Sequence, residues 1–312
     1  MGGSSSGTFK YHSPGDIIKQ VRKAEDDTTA AAFEAQLSTF LASLLSAANE
    51  RDSPLIRDRL DEVKHCLQEV IDGSFDQLFG GSVAKHTFVN GLSDVDTLLL
   101  INDTLLERKE PQQILSRLAA ILSQTLNNIG SITQGRMAVT IVFNDEMVLQ
   151  ILPAIRDDAG LLRVPSSRRD GWSHIDPEKF QQALSKRNLE CGGKLIPVIK
   201  IAKSIIGQLP ESQRLSGYHV ESLAIAAFKE YSGQRTTASM LPTFFERARQ
   251  LVLQPVRDRT GQSIHVDEYL GPADSQERLL TSHVLSRIAK RMRNATAASS
   301  SAQWRAILGI DE

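Results

Sequence analysis

The sequence holds only two cysteines in 312 residues, Cys66 and Cys191. They stand far apart, with neither metal-ligand nor redox spacing, which argues against a disulfide scaffold and suits buried thiols in a reducing cytoplasm. Net charge is nearly absent as well: 36 basic residues face 37 acidic ones, for a formal charge of -1. No global field is left to hold a long duplex or an anionic membrane, so any polyanion must be met locally. No apolar run approaches the roughly 20 residues a spanning helix needs, and the N-terminus lacks the basic-then-apolar pattern of a secretory signal. The expectation is a cytoplasmic protein without membrane insertion. The opening Met1-Gly2-Gly3-Ser4-Ser5-Ser6 fits the loose N-myristoylation pattern and equally a flexible Gly/Ser head.

What is present is an ordinary globular composition, 41% hydrophobic and 23% charged, with length enough for one large domain or two smaller ones. The chain reads as a flexible head over 1–12, N-terminal helices and an α+β core over 13–170, a helical lobe over 171–294 and a tail over 295–312. Three helices are expected in the first 72 residues, one from Ser13-Pro14, one over about 29–48, and one capped by Ser53-Pro54. From Phe75 the texture changes to short apolar runs, Phe75 to Phe79 and Val95 to Ile101, which read as buried strands. A helix follows over Pro111 to Leu126. Two further strands, Ala138 to Phe143 and Met147 to Leu152, are separated by Asn144-Asp145-Glu146 as in a hairpin. After a basic loop, Arg163 to Asp170, Asp176-Pro177-Glu178 signals the first of the later helices, with others at about 193–208, 216–231, 241–252 and 274–294. The Ala/Ser-rich stretch Ala295 to Ala302 reads as a mobile linker before an apolar end.

The densest chemical signal runs from Phe79-Gly80-Gly81-Ser82 to Gly91-Leu92-Ser93-Asp94-Val95-Asp96. A strand that ends in Gly-Gly-Ser and enters a short helix offers backbone amides and a hydroxyl to phosphate oxygens, with no side chain blocking approach. Asp94 and Asp96 open an apolar run, and residues two apart in a strand share one face. Two carboxylates side by side suit magnesium bridging a triphosphate. Taken alone, Gly81-Ser82 is an ordinary turn and the aspartates an ordinary strand entry; their succession within fifteen residues is what points to nucleotide chemistry.

In that succession the chain resembles the DNA polymerase β superfamily, and within it the bacterial cGAS/DncV-like nucleotidyltransferases of anti-phage signalling, relatives of oligoadenylate synthase. The resemblance implies a polymerase β-like core with a mixed sheet, a helical C-terminal lobe, bracing N-terminal helices and a nucleotide cleft. It implies two Mg2+ ions, or Mn2+, as cofactors. It also implies a third carboxylate three residues ahead of a proline, and in Leu149-Gln150-Ile151-Leu152-Pro153 the matching residue is Gln150, a neutral amide that neither accepts a proton nor supplies charge. Asp145, Glu146, Asp157 and Asp158 are the nearby candidates for the missing charge.

By the same resemblance, Lys200 and Lys203, one helical turn apart, reach the triphosphate. The run Ser216-Gly217-Tyr218-His219 resembles a helix start whose serine binds phosphate and whose aromatic ring stacks on the base. Gly217 occupies the usual serine position, leaving Ser216 one residue back. The implied partners are nucleoside triphosphates and, through the product, a downstream effector protein. Three outcomes stay open: a cyclic oligonucleotide signal, a linear and even protein-primed product, and a nucleotide-binding protein whose turnover Gln150 impairs.

Overall fold

The computed structural model describes residues 14–71, 74–78, 95–102, 105–145, 147–166, 170–260 and 265–310, with residues 95 and 96 described by their backbone. Its first element, α1 (Pro14–Gln68), is one helix of 55 residues, about 80 Å long, where the sequence predicts three. No glycine or proline interrupts it between Gly15 and Pro54. Phe33, Leu37 and Leu41 recur at one-turn spacing in its first half and enter the core of the helical lobe. Ile56, Leu60, Val63 and Leu67 do the same in its second half and enter the core under the sheet. Pro54 lacks an amide proton and removes one bond from the ladder, a defect worth roughly 3 kcal/mol in a helix interior. Burial of both flanks outweighs that defect, so the cap expected at Ser53-Pro54 does not form.

A five-strand path follows from β1 (Ser74–Leu78), β2 (Val95–Asn102), β3 (Ile129–Gln134), β4 (Val139–Phe143) and β5 (Val148–Arg156), in the spatial order β1-β2-β5-β4-β3. Only β2 and β5 run parallel; the other neighbours on this path are antiparallel, so the sheet is mixed as expected. The β4–β5 hairpin forms where the sequence predicts it. One face packs on the second half of α1 and on α2 (Pro111–Thr125), which buries Ile114, Leu115, Leu118, Ile121 and Leu122. The opposite face carries a small cluster of Leu98, Leu100, Ala154 and Val164. Side chains alternate along a strand, so positions 96 and 150 lie on this second face, away from the helices.

Three strands escape the sequence reading: β3 on the edge of the path, paired to β4, then β6 (Leu162–Pro165), paired to the end of β5, and β7 (Trp172–Ile175), paired to β6. Arg163, expected in a basic loop, is therefore on a strand opposite His174. Arg168 and Arg169 of that loop lie outside the described residues.

The remaining chain is helical: α3 (Pro177–Glu190), α4 (Leu195–Gly207), α5 (Gly217–Ala227), α6 (Thr237–Leu251), α7 (Gln276–Ala297) and α8 (Ser301–Leu308). Asp176 caps α3 by accepting from the Lys179 amide, as the Asp-Pro-Glu signal predicts. The expected linker at 295–302 is not one. Ala295 is buried at the end of α7, the Ser300 hydroxyl caps α8, and Trp304 is fully buried in the lobe core. A sequence rich in Ala and Ser reads as unstructured when nothing packs on it; here the small side chains let two helices turn tightly over the core.

Candidate active site

The sheet half of the expected site is partly within view. Gly81, Ser82 and Asp94 lie outside the described residues, and Asp96 is placed by its backbone. In the parallel pairing of β2 and β5, Asp96 stands opposite Gln150, and on the other side Gln150 stands opposite Thr140 of β4. Paired residues project to the same side of a sheet, so positions 96 and 150 are lateral neighbours on the face opposite α1 and α2. Gln150 is half-buried. The register therefore puts the amide in the lane where the resemblance expects a carboxylate.

The nearby acids are engaged elsewhere. Asp145 sits in the β4–β5 turn, where it pairs with Arg59 at 3.5 Å and accepts from the Met147 amide. Asp157 follows β5, seven residues and about 23 Å of strand beyond position 150. Its Oδ2 lies 2.7 Å from His174 Nε2, and its Oδ1 accepts from the amides of Ala159 and Leu161. These bonds, His174 foremost, hold its carboxyl below the ordinary carboxylate range. Asp158, in the same turn, is equally remote, and Glu146 lies outside the described residues.

The helical half is built around the start of α5. Ser216 is its N-cap: the hydroxyl accepts from the His219 amide at 3.2 Å. Ser216 itself is exposed, and Gly217 and Tyr218 are half-buried, so this helix end reaches solvent. Lys203 of α4 runs beneath it. The lysine is only 4% exposed, and its Nζ donates to Glu221 Oε1 of α5 at 2.7 Å. A Cβ placed on Gly217 would stand 3.3 Å from that Nζ. The ammonium thus crowds the place where a serine side chain would sit, which is a physical reason for glycine at 217. Lys200, one turn earlier on α4, is half-buried. The structure therefore brings Lys203, Ser216, Gly217 and Tyr218 together.

Tyr218 is fixed at both ends. Its ring packs on Phe180 of α3 with centroids 4.7 Å apart, and its hydroxyl donates to Asp258 Oδ1 at 2.7 Å. Burial, and then Asp258, raise the phenol's pKa far above its ordinary value, so it stays protonated.

Sequence reasoning misses the polar groups behind this edge. His219 is fully buried; its Nδ1 lies 2.8 Å from the hydroxyl of Tyr269, and its Nε2 lies 3.5 Å from Asp267 Oδ2. The Tyr269 hydroxyl also accepts from the Ser216 amide at 3.2 Å. Asp267 forms a fully buried ion pair with Arg278 at 2.7 Å. Burial lowers the His219 pKa to about 4, so the imidazole is neutral at physiological pH. The signal available in the sequence was weak, since Asp267 and Arg278 look like any two surface charges.

The profile of the Second Messenger Oligonucleotide or Dinucleotide Synthetase domain matches residues 31–188, half of the chain. The chain belongs to this synthetase family. It is a nucleotidyltransferase by that membership, and solved structures share its fold. CdnC of E. coli MS115-1, solved with ATP, superposes with a TM-score of 0.60 at 15% identity, over 86% of this chain and 92% of that one. The CD-NTase CdnG of Bradyrhizobium diazoefficiens, solved with GTP, gives 0.60 at 14% identity, over 82% and 89%. The Vibrio cholerae cyclic AMP-GMP synthase DncV, with nonhydrolyzable GTP, gives 0.60 at 11% identity, over 95% and 92%. No curated protein matches in sequence. The synthetase has no helix among its described residues that is long and apolar enough to cross a membrane.

Proposed function

We propose that this synthetase joins nucleoside triphosphates, without a template, into a short oligonucleotide signal that is cyclic, releases pyrophosphate, and acts on an effector protein in anti-phage defence. The observation that carries this reading is the lane formed by Asp96 and Gln150 on adjacent parallel strands, inside the span matched by the synthetase family. Gly81 and Ser82 hold phosphate through backbone amides and a hydroxyl. Lys200, Lys203 and Ser216 complete the triphosphate cradle from the helical lobe, and Tyr218 offers its ring to the base.

Magnesium, or manganese, fits this donor set through Asp94 and Asp96, two hard carboxylates two residues apart in the sequence. A divalent ion held by these residues would supply neutralising charge to the phosphates and the leaving pyrophosphate. Gln150 lends at most a neutral amide oxygen. The acceptor hydroxyl is then aligned by the cleft, and its proton has no carboxylate at 150 to receive it.

That last point favours a second reading, a chain that binds nucleotides and turns over slowly. Restoring the acid separates the two. With the four common triphosphates and Mg2+, Q150E is expected to release pyrophosphate at least about 10²-fold faster than the native chain, the scale of a general base. Resistance of the product to phosphatase, with its mass, distinguishes cyclic from linear and from protein-linked material. Triphosphate binding with no pyrophosphate from either protein leaves the binding role alone; no binding by either sinks both readings.

A further inference from the structure

Two segments of chain, 256–260 and 265–271, each grip the start of α5 at one point. Asp258 Oδ1 accepts from the Tyr218 hydroxyl at 2.7 Å, and from the amide and hydroxyl of Thr260 at 2.8 Å each. Eleven residues on from Asp258, the Tyr269 hydroxyl accepts from the Ser216 amide and contacts His219 Nδ1. One phenol oxygen accepts from the amide and donates its own proton to Nδ1. That arrangement leaves the imidazole proton on Nε2, facing the Asp267 carboxylate, whereas the opposite tautomer would turn a lone pair towards that charge. The order Ser216 amide, Tyr269, His219 is therefore a directed chain, and it ends at an Nε2 that lies 3.5 Å from Asp267 without a hydrogen bond to it.

The segments are themselves locked from behind. Arg278 of α7 is fully buried and donates to the carbonyls of Val252, Gln254, Asp267, Gly271 and Pro272 as well as to the Asp267 carboxylate. Asp267 in turn accepts from the Val256 amide at 3.0 Å. A guanidinium has five donors in a rigid fork, and here they tie the chain ahead of 256 and the segment 265–271 to one point. At the far side the Thr260 carbonyl accepts from the Asp176 amide at the cap of α3. Buried polar bonds thus fix Val256, Thr260, Asp267 and Gly271 in place.

We propose that two described segments, 256–260 and 265–271, form the positioning element of the nucleotide pocket, with Tyr269 setting the triphosphate edge at Ser216 and Asp258 setting the ring of Tyr218. This rests on the reading that Lys203, Ser216 and Tyr218 meet the nucleotide. Neither Tyr269 nor Asp258 touches the nucleotide in this scheme. Tyr269 acts through the amide and imidazole that fix the first turn of α5, and Asp258 through a phenol hydroxyl.

The test is equilibrium binding of ATP, GTP, CTP and UTP, and of the matching monophosphates, to the full-length protein. Y269F keeps the ring and removes the bond that orders Ser216. It is expected to weaken the preferred triphosphate roughly five-fold or more, the value of one hydrogen bond, and to leave the monophosphate unchanged. H219N keeps an acceptor where Nδ1 stood and is expected to retain triphosphate affinity, whereas H219L is expected to lose it like Y269F. Y218F, which frees the ring from Asp258, is expected to narrow the spread of affinities among the four bases.

Equal weakening of mono- and triphosphate by Y269F is the signature of a merely structural tyrosine and overturns the proposal, as does no weakening of either. The parent reading has its own control in K203M/E221L, which removes the buried pair together and strands neither charge. If that double variant binds triphosphate like the native chain, the phosphate role of Lys203 fails, whatever Y269F does.

Discussion

A buried histidine that stays neutral makes stability depend on pH in a definite direction. His219 has its pKa lowered from 6.5 to about 4, by burial first, with Arg278 adding to the effect and Asp267 opposing it. Above pH 6.5 neither the folded nor the unfolded chain protonates it, and its contribution is fully present. As pH falls from 6.5 towards 4, the unfolded chain takes up a proton that the folded chain refuses. Stability then drops by about 1.4 kcal/mol per pH unit, and the loss from this group ends below pH 4. Urea midpoints measured from pH 4.5 to 8 are expected to fall less steeply on the acid side for H219N than for the native chain. Parallel curves would show that His219 is not the responsible group. At this scale the sequence was informative where spacing carries meaning and mute where partners are distant. Gln150 was legible through the family resemblance, which implies a carboxylate three residues ahead of a proline at that position. The Ser216–Tyr269 and Asp267–Arg278 contacts were not, since they join residues 53 and 11 apart through a loop with no periodic pattern.

Elements with a strong apolar period were readable, and their ends were set by chemistry that propensity alone does not specify. The helices α2, α3 and α4 fall within a few residues of their expected spans because Pro111, Asp176-Pro177 and the apolar stripe of 195–206 mark them. The strands β6 and β7 are four residues each, too short for a period to show, and exist through pairing rather than propensity. The last helix shows what capping adds. Gly309 ends α8 in the left-handed region, with φ 66°, and the Gln208 side chain donates to the Leu308 carbonyl at 2.8 Å directly beside it. A methyl at 309 would have to displace that glutamine as well as tolerate the positive φ. G309A is therefore expected to cost about 1 kcal/mol or more, read as a lower urea midpoint with an unchanged slope. A variant as stable as the native chain would mean that α8 docks without its cap.

Among the described residues, α1 is the one element that enters both large cores. The sequence shows the two apolar stripes but not that a single rod carries them, because the Ser53-Pro54 pair reads locally as a fresh start. Continuity has a calorimetric consequence. Leu41 lies fully buried in the lobe core and Leu60 in the core under the sheet. L41A and L60A are each expected to cost roughly 2–5 kcal/mol, and both are expected to move one common melting transition. If each variant shifts a separate transition, the rod does not couple the two halves. The same continuity governs how the halves move. A beam fixed to one body through Leu41 and to the other from Ile56 onward has only the turns between them in which to bend. The missing amide proton of Pro54 falls within those turns, so compliance is concentrated there. Bending of one core against the other is then expected to concentrate at this one helical joint.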